Sequence, residues 1–309
     1  MKRNNLYERN LSACMYAHYP ERSKQFLRGG REILNKYFMH GIFLKYIEVL
    51  ITTKCTLNCK ECCNLIQYYQ CPYHISAEDI VRDIRKLSRI AKEILQLRIL
   101  GGEPLLHPKL AYIVRQILKL DNIKRIQIVT NGTLLFDEHT LKVLKNNPRI
   151  SVDISNYGEK SLKRDELIEQ LKRNHIKYYT QEDRIVWTKQ ADCTYRNRNY
   201  EQLKAVLARC HMDCISMLNG KIHLCPRSSH AMDLEIVPNR GADYFDLRQK
   251  RALKECKKSL YRLLNTTNIL ACNYCDVFRW ERLPEVVAAE QISKEKANAI
   301  MKNFIVDRE

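Results

Sequence analysis

From residue 46 onward the apolar positions switch between two spacings. Tyr46–Thr53 is a nearly unbroken apolar run of strand length. After Ser76, with Glu78 and Asp79 in the following turn, the pattern becomes helical and continues to about Leu95. Gln96–Leu100 then reads as a short strand that ends at Gly101-Gly102. Residues 109–120 read as a helix, 125–130 as a strand ending at Asn131-Gly132, and 137–146 as a helix. Ile150–Ser155 is a strand, 161–173 a helix, Ile176–Thr180 a strand, and 184–188 a candidate sixth strand. Repeated strand–helix units imply a parallel sheet with crossover helices. The expected class is α/β, as an open or partial barrel whose ligands bind at the carboxyl ends of the strands.

Past about residue 190 the rhythm changes. Residues 200–208 look helical, and Ile215–Leu218 and Lys221–Leu224 flank Asn219-Gly220, a strong hairpin signal. Residues 293–304 suggest a final amphipathic helix. In the first 45 residues, Phe26, Ile33, Leu34, Tyr37 and Phe38 recur at near-helical spacing, interrupted by Gly29-Gly30. The expected division is a basic helical extension over 1–45, an α/β core over 46–190, and a small α+β module over 191–309.

The chain has 309 residues, enough for one large domain and a small second module. Lys and Arg number 53 against 35 Asp and Glu, a net charge of +18. Such a field favours anionic partners, although a solvated basic surface is the plainer reading. The basic residues are spread out and no nucleic-acid-binding module is visible, so nucleic acid is disfavoured. No apolar run reaches the roughly 18 residues of a membrane span, and the N-terminus lacks a signal peptide's apolar segment. These features point to a cytoplasmic protein that does not enter a membrane. In that compartment thirteen cysteines suit metal ligation or buried thiols better than disulfides.

The chemistry concentrates in Cys55-Thr-Leu-Asn-Cys59-Lys-Glu-Cys62, a C-x3-C-x2-C array just after the first strand. Three thiolates on one curling loop can hold three irons of a cubane and leave the fourth open to a non-protein ligand. Zinc is the alternative, with His74 or Cys71 as a fourth ligand. Cys63 and Cys71 read as packing thiols. A second set, Cys210, Cys214, Cys225, Cys256, Cys272 and Cys275, lies beyond residue 190. Two ligands from a hairpin and two from a C-x2-C turn make a four-thiolate site, either a structural zinc or a second cluster. Cys210, Cys225, Cys272 and Cys275 are the expected ligands, with Cys214 able to replace Cys210. Cys256 and Cys193 read as structural thiols, and Cys193 is also a candidate hydrogen-atom donor.

Three features taken together resemble the radical SAM superfamily: the cysteine loop after strand one, Gly101-Gly102-Glu103-Pro104 after strand two, and Asp153-Ile154-Ser155-Asn156-Tyr157-Gly158 at the end of strand four. The resemblance implies a partial (βα)6-type barrel. Cys55, Cys59 and Cys62 would hold a [4Fe–4S] cluster, and S-adenosylmethionine would chelate the open iron. The Gly101–Glu103 backbone would accept hydrogen bonds from the methionine amino group, and glycine lets the backbone come that close. Pro104 completes the motif, Thr130-Asn131-Gly132 would line the cavity, and Ser155 and Asn156 would bind the ribose. One position departs from the pattern: members often carry an aromatic residue before the third cysteine, where this chain has Glu61.

The order of the second cysteine set resembles the twitch domain, a shortened SPASM domain that binds one auxiliary [4Fe–4S] cluster. Relatives of that type include dehydrogenases that oxidise a cyclitol alcohol, sugar epimerases and peptide maturases. The resemblance implies an oxidoreductase that takes hydrogen from a carbohydrate or cyclitol-like substrate. A phosphate or nucleotide on that substrate would suit the basic charge. Peptide modification is the alternative, RNA modification ranks below it, and reduced flavodoxin or ferredoxin is the expected electron donor.

Overall fold

The computed structural model describes residues 41–183, 185–210 and 214–306. The expected N-terminal helical extension lies almost wholly outside the described residues.

Strand β1 (Ile42–Leu50) begins four positions earlier than the apolar run suggested, and pairs in parallel with β2 (Ala91–Leu100) from Ile42↔Ala91 to Leu50↔Leu100. Helix α1 (Ala77–Ile90) is capped by Ser76, whose Oγ accepts the Asp79 N–H at 3.4 Å. It stops at Ile90, not near Leu95. Ala91–Leu95 are apolar enough for either state, and pairing with β1 on one side and β3 on the other settles them as strand.

The pattern continues with α2 (Leu110–Ile117), β3 (Ile123–Thr130), α3 (Glu138–Leu144), β4 (Ile150–Ile154), α4 (Arg164–Arg173) and β5 (Tyr178–Thr180). All five strands are parallel, in the order β5-β4-β3-β2-β1. One face carries Ile47, Val49, Leu97, Ile99, Ile126, Ile128, Val152 and Ile154 in register, all in one core cluster with Ile80, Ile84 and Leu87 of α1. The opposite face carries Tyr46, Glu48, Gln96, Arg98, Gln127 and Asp153. A parallel strand covered on both faces usually reads as continuous apolar sequence, so this row of polar groups marks the face left for a ligand.

The segment expected as a sixth barrel strand takes a different place. Strand β6 (Val186–Thr188) pairs antiparallel with β10 (Glu285–Val287) in a separate two-stranded sheet. The sixth parallel strand is instead β7 (Ser216–Leu218), which follows α5 (Tyr200–Arg209) and lies on the free side of β1. It turns through Asn219 (φ 51°) and Gly220 (φ 75°) into β8 (Lys221–His223), and β9 (Tyr244–Asp246) finishes the sheet. Two consecutive positive φ values are what a type I′ hairpin needs. The C-terminal segment thus continues the main sheet. Arg248, after β9, reinforces the join by donating from Nε and an η nitrogen to Asp83 of α1 at 3.0 and 2.9 Å. Helices α6 (Pro226–Asp233), α7 (Leu253–Leu264) and α8 (Lys294–Val306) complete the described chain. The sheet remains open, and no helix among the described residues is long and apolar enough to cross a membrane.

Candidate active site

The cysteine loop leaves the carboxyl end of β1 and is braced from β2. Gly102 N–H donates to Thr52 O at 2.9 Å, and Glu103 N–H to Lys54 O at 2.8 Å. This approach leaves no room for a side chain. A Cβ on Gly101 would meet Thr52 O at 2.3 Å, and one on Gly102 would meet Lys54 O at 2.2 Å and Cys55 Cβ at 2.8 Å. The two glycines therefore set how closely the motif after β2 lies against the cysteine loop.

Cys55, Cys59 and Cys62 lie within electrostatic reach of one another. Burial pushes the Cys55 and Cys59 thiols up to about 12, and Cys62 is also raised by burial, against backbone N–H groups of Ile66, Asn64 and Leu65 that favour its thiolate. A cation among these thiols would favour their thiolates, as ligation requires. Among the described residues no three His, Cys, Asp or Glu side chains stand close enough to clasp a single metal ion.

Glu103 has a structural use for its carboxylate. It is fully buried and accepts Leu105 N–H at 3.1 Å, Thr130 Oγ1–H at 2.9 Å and Asn131 N–H at 2.9 Å. Burial still dominates and raises it to about 7. Asn131 passes the connection on, since its Nδ2 donates to Thr56 Oγ1 at 3.0 Å and lies 3.7 Å from Cys55 Sγ. Thus the ends of β1, β2 and β3 form one hydrogen-bonded frame around Cys55.

After β4, Ser155 N–H donates to Thr130 O at 2.9 Å, and its side chain hydrogen-bonds to Tyr157. Burial raises the Tyr157 hydroxyl, which feels Cys59, Cys62 and Cys63, and its ring meets Trp187 edge-on at 5.3 Å. The Asn156 side chain is occupied within the protein: Nδ2 donates to the carbonyls of Gln181 and Glu182 at 3.2 and 2.8 Å, and Oδ1 accepts Gly158 N–H at 3.0 Å. Glu61 stands where relatives often place an aromatic ring. It holds the 190–191 backbone, with Oε2 accepting from Gln190 N and Ala191 N at 2.8 and 2.7 Å.

Residues 49–191 match the Radical SAM superfamily, a span that runs from β1 through every residue just described. The chain carries a radical SAM domain. That family works with a [4Fe–4S] cluster and S-adenosylmethionine. The chain is similar to GTP 3',8-cyclase of Clostridium acetobutylicum, at 35% identity over 97 residues, or 31% of this chain and 30% of that protein. It is similar to GTP 3',8-cyclase of Aquifex aeolicus at 31% identity over 119 residues, 36% of this chain and 35% of that protein. The chain thus spans about a third of the length of these curated relatives. Among solved structures, BtrN in complex with AdoMet and 2-DOIA aligns with TM-score 0.45 and 16% identity, over 77% of this chain and 94% of that one.

Outside the radical SAM domain, the second cysteine set separates into two groups. Cys210, Cys225, Cys272 and Cys275 line one small, mostly apolar cavity, together with Val206, Leu207, Leu224, Ile269 and Phe278. Cys225 closes β8 and caps α6, its Sγ accepting Ser228 N–H at 3.3 Å, and Cys275 Sγ accepts Val277 N–H at 3.4 Å. Arg198 holds the C-x2-C turn through the carbonyls of Cys272 and Cys275, the latter at 2.8 Å. Burial pushes Cys225 up to about 12 and Cys272 well above the ordinary range. Cys214 bears on Tyr46 of β1 instead, and Cys256 is buried in α7.

Several residues of consequence were not singled out from the sequence. Arg227, fully buried, donates to Asp192 O at 2.8 Å, Cys193 Sγ at 3.1 Å, Tyr274 O at 3.2 Å, and also to Gln190 O. It sits within reach of both Cys63 and Cys275, between the two cysteine sets. On the polar face of the sheet, Tyr46 OH donates to Glu48 Oε1 at 2.7 Å, and Arg98 pairs with Glu48 at 3.6 Å and Asp153 at 3.0 Å. The period-two alternation of β1 and β2 could have marked Glu48 and Arg98, since both interrupt otherwise apolar runs. Gln291 reaches the cysteine loop from 232 residues away. No local pattern could have marked it.

Proposed function

We propose that this protein oxidises or epimerises a hydroxylated carbon of a carbohydrate or cyclitol-like small molecule, using radical chemistry started at Cys55, Cys59 and Cys62. The observation that carries the reading is the convergence of Cys210, Cys225, Cys272 and Cys275 on one cavity. A cluster held there by four thiolates has no vacant iron, so it supplies an electron acceptor rather than a substrate-binding metal. We read residues 46–190 as the radical-forming unit and 191–309 as the unit that holds this second centre, with β7 joining them.

Cys55, Cys59 and Cys62 would hold a [4Fe–4S] cluster, which with S-adenosylmethionine would supply the radical chemistry that takes hydrogen from a substrate carbon. The chain's residues do the rest. Gly101, Gly102 and Glu103 present backbone carbonyls to the methionine amino group, and Pro104 starts the short turn behind them. Asn131 braces the cysteine loop through Thr56 and Cys55, Asn156 holds the loop after β4, and Ser155 and Tyr157 on that loop would bind the ribose. On the polar face of β1, β2 and β4, Tyr46, Glu48, Arg98 and Asp153 offer donors and acceptors suited to hydroxyls, and Glu48 is the candidate acceptor of the substrate's hydroxyl proton. Phosphate on the substrate would suit the +18 charge, as would docking of reduced flavodoxin or ferredoxin.

One observation favours a second reading. The curated relatives are GTP 3',8-cyclases, so a purine nucleotide is the competing substrate. A single experiment separates the two. The full chain is loaded anaerobically with iron and sulfide, reduced, and given S-adenosylmethionine with a deuterated cyclitol, a deuterated hexose or deuterated GTP. About eight irons and deuterium in 5′-deoxyadenosine from a cyclitol or hexose support the proposal. Deuterium from GTP moves the assignment to nucleotide cyclisation. Deuterium from none of these, with intact cleavage, sinks both substrate readings and leaves a peptide as the next class to test.

A further inference from the structure

The cysteine loop of the radical SAM domain is clamped around its second cysteine by a segment from the far end of the chain. Lys60 N–H donates to Glu290 O at 2.8 Å, and Ile292 N–H to Asn58 O at 2.9 Å, so Cys59 and Gln291 face each other in an antiparallel bridge. The Gln291 side chain lies between them. Its Oε1 accepts Asn58 N–H at 2.7 Å, while Nε2 lies 3.5 Å from Cys59 Sγ and 2.7 Å from Ala289 O. The amide orientation is dictated by its partners. Asn58 N–H can only donate and Ala289 O can only accept, so the oxygen faces the first and the NH2 group faces the second and the sulfur.

We propose that Gln291 is a positioning residue for the radical-forming cluster: its amide N–H donates to Cys59 Sγ and holds that cluster's reduction potential more positive than the three cysteines alone would set it. The inference rests on the reading of Cys55, Cys59 and Cys62 as cluster ligands. A donor at a ligating sulfur draws electron density from it. Reduction adds negative charge to the cluster, so the donor stabilises the reduced form more than the oxidised one. The contact also makes electron uptake in the first half of the chain depend on docking of the segment that follows the second cysteine set. Ala288 and Ala289, fully buried, fix that segment just before the bridge.

Gln291→Leu is the informative variant. It removes the donor to sulfur without adding charge and leaves the backbone pairs Lys60 N–H to Glu290 O and Ile292 N–H to Asn58 O in place. The full chain with both centres loaded is titrated with reductant under EPR, with and without S-adenosylmethionine, which perturbs only the signal of the cluster it binds. The expected result is a negative shift of that cluster's midpoint with the other cluster unmoved, and no shift in Lys60→Ala, which loses only the exposed ion pair to Glu290. Where Gln291→Leu does not load iron, Gln291→Met is titrated in its place with the same sign expected. An unchanged midpoint in the loaded variant overturns the proposal. A wild type with no signal responsive to S-adenosylmethionine overturns the underlying cluster assignment, a distinguishable failure.

Discussion

Glu103 Oε2 accepts the backbone N–H of Asn131 at 2.9 Å, while its other oxygen accepts Leu105 N–H at 3.1 Å. N–H donors thus face both oxygens of a side chain with no solvent exposure. Glu103→Gln must turn its NH2 group toward one of them, so it should destabilise the chain by about 1–3 kcal/mol. The pH dependence follows from burial, which raises the folded-state pKa from an ordinary 4.5 to about 7. A raised pKa means that Glu103's contribution to stability is complete below the unfolded value and is lost as pH climbs through the folded one. The gap between wild type and Glu103→Gln should therefore be largest at about pH 4, below the unfolded value, and shrink by about pH 8. Denaturant melts at the two pH values check this; a gap that widens with pH refutes it.

Gly102→Ala tests the close contact between the motif after β2 and the cysteine loop. The added methyl would meet Lys54 O at 2.2 Å and Cys55 Cβ at 2.8 Å, and neither is the loose end of a flexible side chain. Overpacking of this kind costs about 1–3 kcal/mol, and here it displaces a candidate ligand. Cleavage of S-adenosylmethionine should fall at least tenfold. Gly241→Ala, with nothing within 4 Å of the new methyl, should leave both cleavage and melting temperature unchanged.

Arg227→Met removes a buried cation from among the carbonyls of Gln190, Asp192 and Tyr274 and the sulfur of Cys193. Methionine fills much of the volume but leaves three carbonyls without their donor. A loss of about 1–3 kcal/mol is expected, the cost of leaving buried acceptors without their donor. Thermal melts of the two full-length proteins measure it. A change below 1 kcal/mol would show that the 190–193 segment holds its place without the guanidinium.

The cavity around Phe278 separates two cysteines that sequence spacing leaves equivalent. Cys210→Ser should lose the iron of the second centre, because Cys210 lines the cavity with Cys225, Cys272 and Cys275. Cys214→Ser should keep it, because Cys214 bears on Tyr46. Iron analysis and visible absorption after anaerobic loading decide between them. Retention of about eight irons by Cys210→Ser would exclude Cys210 as a ligand.

The alternation of apolar and polar residues was enough to place the strand–helix units, because buried parallel strands and amphipathic helices each impose a period that a single chain displays. The same holds for the three cysteines of the first loop, the two glycines after β2 and the Asn219-Gly220 turn, each of which acts through near neighbours in sequence. Boundaries between adjoining apolar elements were not legible. Ala91–Leu95 could extend α1 or open β2, and only cross-strand pairing chose.

Long-range placement was the work of the tertiary structure. That Val186–Thr188 would leave the main sheet for β10, and that β7 would take the free edge of β1, depends on hydrogen bonds between strands far apart in sequence. That Cys210 lines the cavity with Cys225, Cys272 and Cys275 depends on where α5 ends relative to β8, a geometric fact with no local sign. Gln291 beside Cys59 is the extreme case. One side chain's amide dipole acts on a sulfur 232 residues earlier, and nothing short of the folded chain brings the two within reach.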